Sequence, residues 1–371
     1  AKRWSDGLNG NGRRAKIVCP MRILFATNYT YPPDRVGGSQ SSTHDLCTLL
    51  SEQGHEVAVL ATAAPGHNGV SRFRFAMDTT MGYPVYRVGE PARCAAELQR
   101  AFHPAVVVIQ PGFPMLLAAA FLDTGVCTVV YLRDTRFEEL GGEVRTHPRL
   151  GYLACSRFIA DTYRERFGIE AAVLQPLVRP ERYRVERTGN KVLFVNPHPF
   201  KGVETALHLA ERRPDIPFLF IECWDMPDAV REASRERAAR AGNVEWRASV
   251  LDMRRIYQEA RMLIVPSLSS PEWEEAWARS VTEAQVSGIP VLATRGGGLP
   301  ESVGPGGILV EPGANGAWED ALARVWDDPG EHAVLSQAAL RHAARAEIQP
   351  EALAARFLDF VAQYASAGEE T

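Results

Sequence analysis

With 371 residues the chain exceeds what one ordinary core holds, so two domains are expected. Its content of 46 % hydrophobic and 23 % charged residues is that of a globular protein, and a formal net charge of −4 excludes the basic excess on which nucleic-acid binders rely. No apolar run reaches the roughly 20 residues needed to span a bilayer.

The opening AKRWSDGLNGNGRRAKIVCP is basic and polar and lacks the apolar block of a secretory signal. A mobile arm is expected over 1–20, with Met21 opening the fold. Short, continuous, β-rich runs follow at 22–27, 56–62, 105–110, 127–132, 151–156 and 171–175, the pattern of strands covered on both faces. Helical patterns separate them, such as 41–54 ending at Gly54. The scheme repeats, with strands at 191–196, 217–222, 243–247, 261–267, 289–294 and 307–310 and helices at 203–213 and 226–242 among others. Alternating strands and helices predict parallel, doubly wound α/β sheets. The polar, proline-bearing stretch 176–190 reads as the seam between two such domains, and an amphipathic helix over 350–365 follows the second sheet. Six scattered cysteines without a CxxC pair, and histidines at no ligand spacing to them, point to reduced thiols in a cytoplasmic protein and to no metal site.

Open α/β sheets bind ligands beyond the carboxyl ends of their strands. After the first strand, Gly37 and Gly38 precede a helix, where backbone N–H groups can approach an anion, although an ordinary permissive loop reads the same way. No GxGxxG follows any expected strand, which disfavours a nicotinamide dehydrogenase. Lys201 and Gly202 open a helix after strand 191–196; the lysine suits a diphosphate, or is a solvated surface cation. Further on, Glu275 is expected in a loop and Glu283 in the second turn of a helix over about 278–287, on one broad side. Such a pair can accept hydrogen bonds from sugar and ribose hydroxyls, with the helix N-terminus turned to phosphate, or can be two solvated acids near a positive helix end.

In their order along the chain these residues resemble the family 4, or group 1, retaining glycosyltransferases. EAWARSVTE (275–283) is similar to their E-x7-E motif and SGIPVLATRGGGLPESV (287–303) to the segment after it. FKGVETAL is similar to their Lys-Gly helix start, and VGGSQ to their glycine loop. The resemblance runs from about 21 to 365. It implies a GT-B fold of two Rossmann-like domains facing a cleft: an acceptor domain over 21–182, a nucleotide-sugar domain over 183–348, and a terminal helix over 349–371 that crosses back to the first domain. It further implies that Glu275 meets the transferred sugar, Glu283 the ribose and Lys201 the diphosphate. Trp277, Ala278 and Arg279 line the phosphate and sugar, Gly37 and Gly38 close over the donor, and the base rests near Cys223–Trp224 and Val250.

Three positions depart from the family pattern. Asn196 stands where the family often has an arginine, leaving His198 or Arg279 to supply the missing phosphate charge. Ala276-Trp277-Ala278 replaces Gly-Phe-Gly and narrows that pocket. Arg133 and Asp134 stand where a histidine is common; Arg133 either stabilises the developing charge or pairs structurally with Asp134. The implied reaction moves a sugar from a nucleoside-diphosphate sugar to an acceptor hydroxyl with retention, without metal or cofactor. The acceptor is a glycan, a lipid-linked or a small molecule, with peripheral membrane contact as an option. The alternatives are an inactive nucleotide- or glycan-binding relic and a nucleotide-sugar 2-epimerase.

Overall fold

A computed structural model describes residues 20–66, 71, 72, 74–248, 250, 252–270 and 273–366. The expected arm over 1–20 lies, but for Pro20, outside the described residues.

The first sheet is built from β1 (Arg22–Ala26), β2 (Glu56–Thr62), β3 (Ala76–Asp78), β4 (Val85–Val88), β5 (Val106–Ile109), β6 (Cys127–Leu132), β7 (Leu150–Ala154) and β8 (Ala172–Val173). Its spatial order is β3-β4-β2-β1-β5-β6-β7-β8, parallel throughout except for the β3–β4 pair. The second sheet holds β9 (Lys191–Val195), β10 (Phe218–Glu222), β11 (Val244–Ala248), β12 (Ala260–Val265), β13 (Val291–Thr294) and β14 (Gly307–Val310). Its order is β11-β10-β9-β12-β13-β14, all parallel. The central strands are buried along almost their whole length, as strands between two helical layers must be.

The pair β3–β4 was not among the strands expected from the sequence. β4 reads VYRV, and its Arg87 hides the strand: the guanidinium is buried and bonds Asp78 at 2.7 Å, Asp34 at 3.1 Å and the carbonyls of Tyr31 and Pro32. A charge so fully paired can sit inside a sheet.

The final helix, Pro350–Ser366, crosses back onto the first sheet. Leu353, Ala354, Phe357 and Val361 join the first core, Phe357 stacks on Phe25 of β1 with ring centroids 5.8 Å apart, and the Cys127 thiol of β6 donates to the Tyr364 carbonyl at 2.8 Å. No helix among the described residues is long and apolar enough to cross a membrane.

In each sheet the chain reverses its winding direction at one point, between β1 and β5 in the first and between β9 and β12 in the second. Ligand crevices form beyond such points because the flanking loops diverge there. Here the two crevices merge into one interdomain cleft of about 790 Å³, lined by the loops after β1, β6, β9, β10 and β12.

Candidate functional site

On the first-domain wall, the loop after β1 leads into the helix Gly38–Glu52, whose N-cap Gly37 supplies no side-chain hydrogen bond. The first N–H groups of this 15-residue helix have no intrahelical partners by construction, and Gly37, Gly38 and Ser39 line the cleft. Gly38 faces the other domain, since a Cβ there would lie 3.7 Å from the Cβ of Arg279. Directly after β6 comes Arg133, which is half-buried, stacks 3.8 Å over the Tyr131 ring and donates to the Ser42 hydroxyl of the same helix. Of the two alternatives for Arg133, the ion pair with Asp134 is not formed: Asp134 instead lies 3.5 Å from Arg136. Burial lowers the Arg133 pKa from its ordinary value but leaves a cation at neutral pH.

On the second-domain wall, the loop after β9 places Asn196, His198 and Lys201. Asn196 has φ +68 and accepts the Trp224 N–H at 3.0 Å through Oδ1, while its Nδ2 finds no partner. His198 accepts the Phe200 N–H through Nδ1 at 3.3 Å; burial and then the neighbouring Lys201 hold its pKa below the ordinary value. Both effects disfavour the charged imidazole here. Gly202 is required: its φ is +80, and a Cβ would meet the Pro266 carbonyl oxygen at 1.8 Å. This close approach of the β9 and β12 loops aims Lys201 at the centre of the cleft. Its ammonium lies 2.5 Å from Glu275 Oε2, 4.7 Å over the Trp224 ring and 5.1 Å over the Trp273 ring.

Glu275 also accepts the Ser267 hydroxyl on Oε2 at 3.0 Å, so Oε1 remains for another donor. Its own carbonyl accepts the Gly298 N–H at 2.6 Å, and a Cβ at Gly298 would sit 2.0 Å from the Ala276 carbonyl oxygen. The triple glycine after β13 thus fixes the backbone that carries Glu275. The following helix is short, Arg279–Gln285, with Glu283 in its second turn as expected. Glu283 Oε1 takes Arg279 Nε at 2.5 Å and Oε2 takes the Tyr257 hydroxyl at 2.7 Å.

Two expectations for this segment change. Arg279 is not a spare phosphate cation. It is 5 % exposed, and beyond Glu283 it holds Asp45 of the first domain, the Tyr183 hydroxyl at 2.8 Å and the Leu177 carbonyl at 3.1 Å. Burial would lower its pKa, but Tyr183, Asp45 and Glu283 outweigh that and push it well above the ordinary value. Trp277 and Ala276 line the cleft and also pack into the apolar core of the first domain, so the width of the cleft there is set by both domains. Ala278 belongs to the second core, and Val250 is exposed at the cleft edge near Met253 and Cys223, whose thiol burial pushes up to about 12.

The cleft concentrates unsatisfied polar groups. Buried Arg133 Nε, Arg136 Nε, Asn196 Nδ2, Trp273 Nε1 and Trp277 Nε1 lack partners, against a single acceptor, Glu274 Oε2. Donors in excess call for a ligand rich in acceptor oxygens. Among the described residues no group of three or more His, Cys, Asp or Glu is placed to hold a metal ion.

Sequence reasoning missed Asp45, Tyr257, Ser267 and Trp273. Asp45 follows His44 inside an amphipathic pattern and carries no local signal. Ser267 ends the strand expected over 261–267 and Trp273 follows in the loop before Glu275, but both acquire meaning only through the fold.

Two family models match: "Glycosyl transferases group 1" over residues 201–328 and "Glycosyltransferase Family 4" over residues 36–182. A D-inositol 3-phosphate glycosyltransferase of Corynebacterium glutamicum (strain R) is 35 % identical over 159 residues, 39 % of this chain and 37 % of that protein. Another from Saccharomonospora viridis is 41 % identical over 96 residues, 25 % of this chain and 21 % of that protein. The matches thus span 37 % and 21 % of these relatives' length. Among solved structures, Anabaena Alr3699/HepE in complex with UDP and glucose superposes with a TM-score of 0.75 at 16 % identity, covering 92 % of this chain and 99 % of that one. AviGT4, a glycosyltransferase of avilamycin A biosynthesis, superposes with a TM-score of 0.64 at 23 % identity over 95 % and 99 %. With matches on both halves in the expected order and the same two-domain architecture, the chain belongs to the group 1, family 4 glycosyltransferases and has their GT-B fold.

Proposed function

We propose that the chain transfers a sugar from a nucleoside-diphosphate sugar to an acceptor hydroxyl, with retention of anomeric configuration. The observation that carries this reading is the convergence, in one cleft, of Lys201 against Glu275, of Glu283 on the next helix, and of an uncapped helix N-terminus from the opposite domain. The diphosphate would lie between Lys201 and the N–H groups at Gly37–Ser39, which supply positive charge where the leaving group develops negative charge. Arg133 would add to it from the first-domain wall. Glu275 Oε1 would accept a hydroxyl of the sugar, and Glu283 the ribose hydroxyls.

In this arrangement the bond from the anomeric carbon to the diphosphate oxygen breaks while the acceptor oxygen adds to the same face. The acceptor's proton passes to the departing phosphate oxygen. Glu275 is held on Oε2 by a lysine and a serine, which suits a hydrogen-bonding acceptor rather than a nucleophile. Because every group at the proposed diphosphate position is an N–H donor or a cation, we expect turnover to persist in a metal chelator. The relatives are named D-inositol 3-phosphate glycosyltransferases and a structural neighbour's complex contains UDP, so UDP-sugars and polyol or sugar-phosphate acceptors open the screen. The buried thiols of Cys47, Cys127 and Cys155 support a reducing compartment such as the cytoplasm.

The test is donor turnover followed by mass spectrometry and NMR. Free nucleoside diphosphate should appear only with an acceptor, with chelator present, and the product should keep the donor's anomeric configuration. Nucleotide release at the same rate without acceptor points to hydrolysis or epimerisation. No turnover across UDP-, ADP- and GDP-sugars contradicts the reading.

A further inference from the structure

The two domains share a buried charge cluster that reaches the proposed ribose ligand. Asp45, fully buried in the first-domain helix, bonds Arg279 of the second domain and also Arg182. Arg279 splits its planar fork: Nη2 goes to Asp45 across the domain boundary and Nε to Glu283 at 2.5 Å. Tyr257 fixes the other oxygen of Glu283 at 2.7 Å. Each Glu283 oxygen therefore accepts one protein donor and retains a lone pair for a ligand. The same stretch is anchored to the first domain by Ala276 and Trp277 in that domain's core.

We infer that Asp45 is a positioning residue for nucleotide recognition: by holding one arm of Arg279 across the cleft, it keeps Glu283 open to two vicinal hydroxyls. The inference rests on the proposed donor reading. Its physical basis is geometric. Without that carboxylate the far side of the guanidinium keeps only neutral partners, the Tyr183 hydroxyl and the Leu177 carbonyl, and the one remaining carboxylate draws the fork into a bidentate grip. Neutralising Asp45 would let Arg279 close on both oxygens of Glu283 and use the lone pairs the ribose needs. Recognition of the nucleoside is thereby tied to apposition of the domains, because only in the apposed state does Asp45 reach Arg279.

A second interdomain contact supplies a control. Glu301 of the second domain accepts the N–H groups of Phe158 and Arg157 at 2.8 and 3.0 Å, at the start of the first-domain helix Arg157–Phe167. Its loss would loosen the interface without touching Arg279 or Glu283.

The experiment is isothermal titration of the full chain with UDP, ADP and GDP and, for the tightest binder, its 2′,3′-dideoxy counterpart. The readout is the ratio of the two affinities, which reports the hydroxyl contacts alone and which a general loss of structure would not move. In the wild type the hydroxyls should be worth about tenfold or more. Asp45→Asn should bring the ratio close to one while circular dichroism stays native, and Glu301→Gln should weaken both ligands alike and keep the ratio. Should Asp45→Asn not fold, Arg279→Lys carries the same expectation, since a single ammonium cannot bridge two carboxylates as a fork does. An unchanged ratio in the folded Asp45 or Arg279 variant, or an equal fall in Glu301→Gln, overturns the inference and leaves the donor reading intact. A wild type that binds none of the three nucleotides overturns both.

Discussion

The two glutamates of one eight-residue motif live in different surroundings. Glu275 sits on a loop and meets a flexible ammonium and a hydroxyl on one oxygen. Glu283 sits on a helix with both oxygens engaged by a buried arginine and a buried tyrosine, backed by an aspartate from the other domain. We expect the first arrangement to be remade when charge develops beside it, because a lysine has a long flexible stem and a rotatable ammonium that can share its donors between carboxylate and phosphate. The second is a fixed template. One motif thus supplies an adaptable group at the proposed reacting end of the ligand and a rigid one at the recognition end.

If that division is right, breaking the adaptable end should cost turnover most. Lys201→Ala should lower kcat by about 10²–10³-fold, in line with loss of one preorganised charge at a leaving group, as read in a donor-turnover assay. Breaking the rigid end should appear in binding instead. Glu283→Ala should weaken nucleoside diphosphate by about 10–100-fold in calorimetry, the worth of one or two hydrogen bonds to a charged group. Both variants showing the same split between kcat and affinity would erase the distinction. A third change sharpens the comparison by moving the platform under Lys201. Gly202→Ala places a methyl against the Pro266 carbonyl at a left-handed φ and should cost about 2–4 kcal/mol in chemical unfolding. The smallest effect concerns the opposite wall. Burial and then Arg182 lower the pKa of His44 to about 4, and its ring bonds the Tyr83 hydroxyl at 2.7 Å. The unfolded chain binds this proton first, so stability is complete above the ordinary value of 6.5 and falls as pH drops towards 4. Solvent reaches part of the ring, leaving about 1–2 kcal/mol. His44→Gln should flatten that portion of the pH–stability curve.

Much of the architecture was legible because central parallel strands are short unbroken apolar runs, as in RILFA and EVAVLAT. What escaped was β3–β4, where a paired arginine breaks the pattern and one strand is an antiparallel edge. At the site, Lys201-Gly202 and the two glutamates could be picked out because each occupies a loop or helix start beyond a strand. Their partners could not. Arg279 reads as a cation free for phosphate until the fold places Asp45, 234 residues away in sequence, beside it. Trp277 reads as a residue of its own domain's pocket until the fold shows it buried in the first-domain core as well. Both cases share one cause: local sequence describes the segment that carries a side chain, whereas its burial is decided by the domain across the cleft.

The central claim is that one nucleotide-bearing ligand spans both domains between Lys201 and Glu283. A crystal structure of the chain with its tightest-binding nucleoside diphosphate tests it most directly. A diphosphate oxygen is expected within hydrogen-bonding distance of the Lys201 ammonium and of a backbone N–H at Gly37–Ser39, with ribose hydroxyls on Glu283. A nucleotide seated elsewhere, or one whose ribose leaves Glu283 untouched, would contradict it.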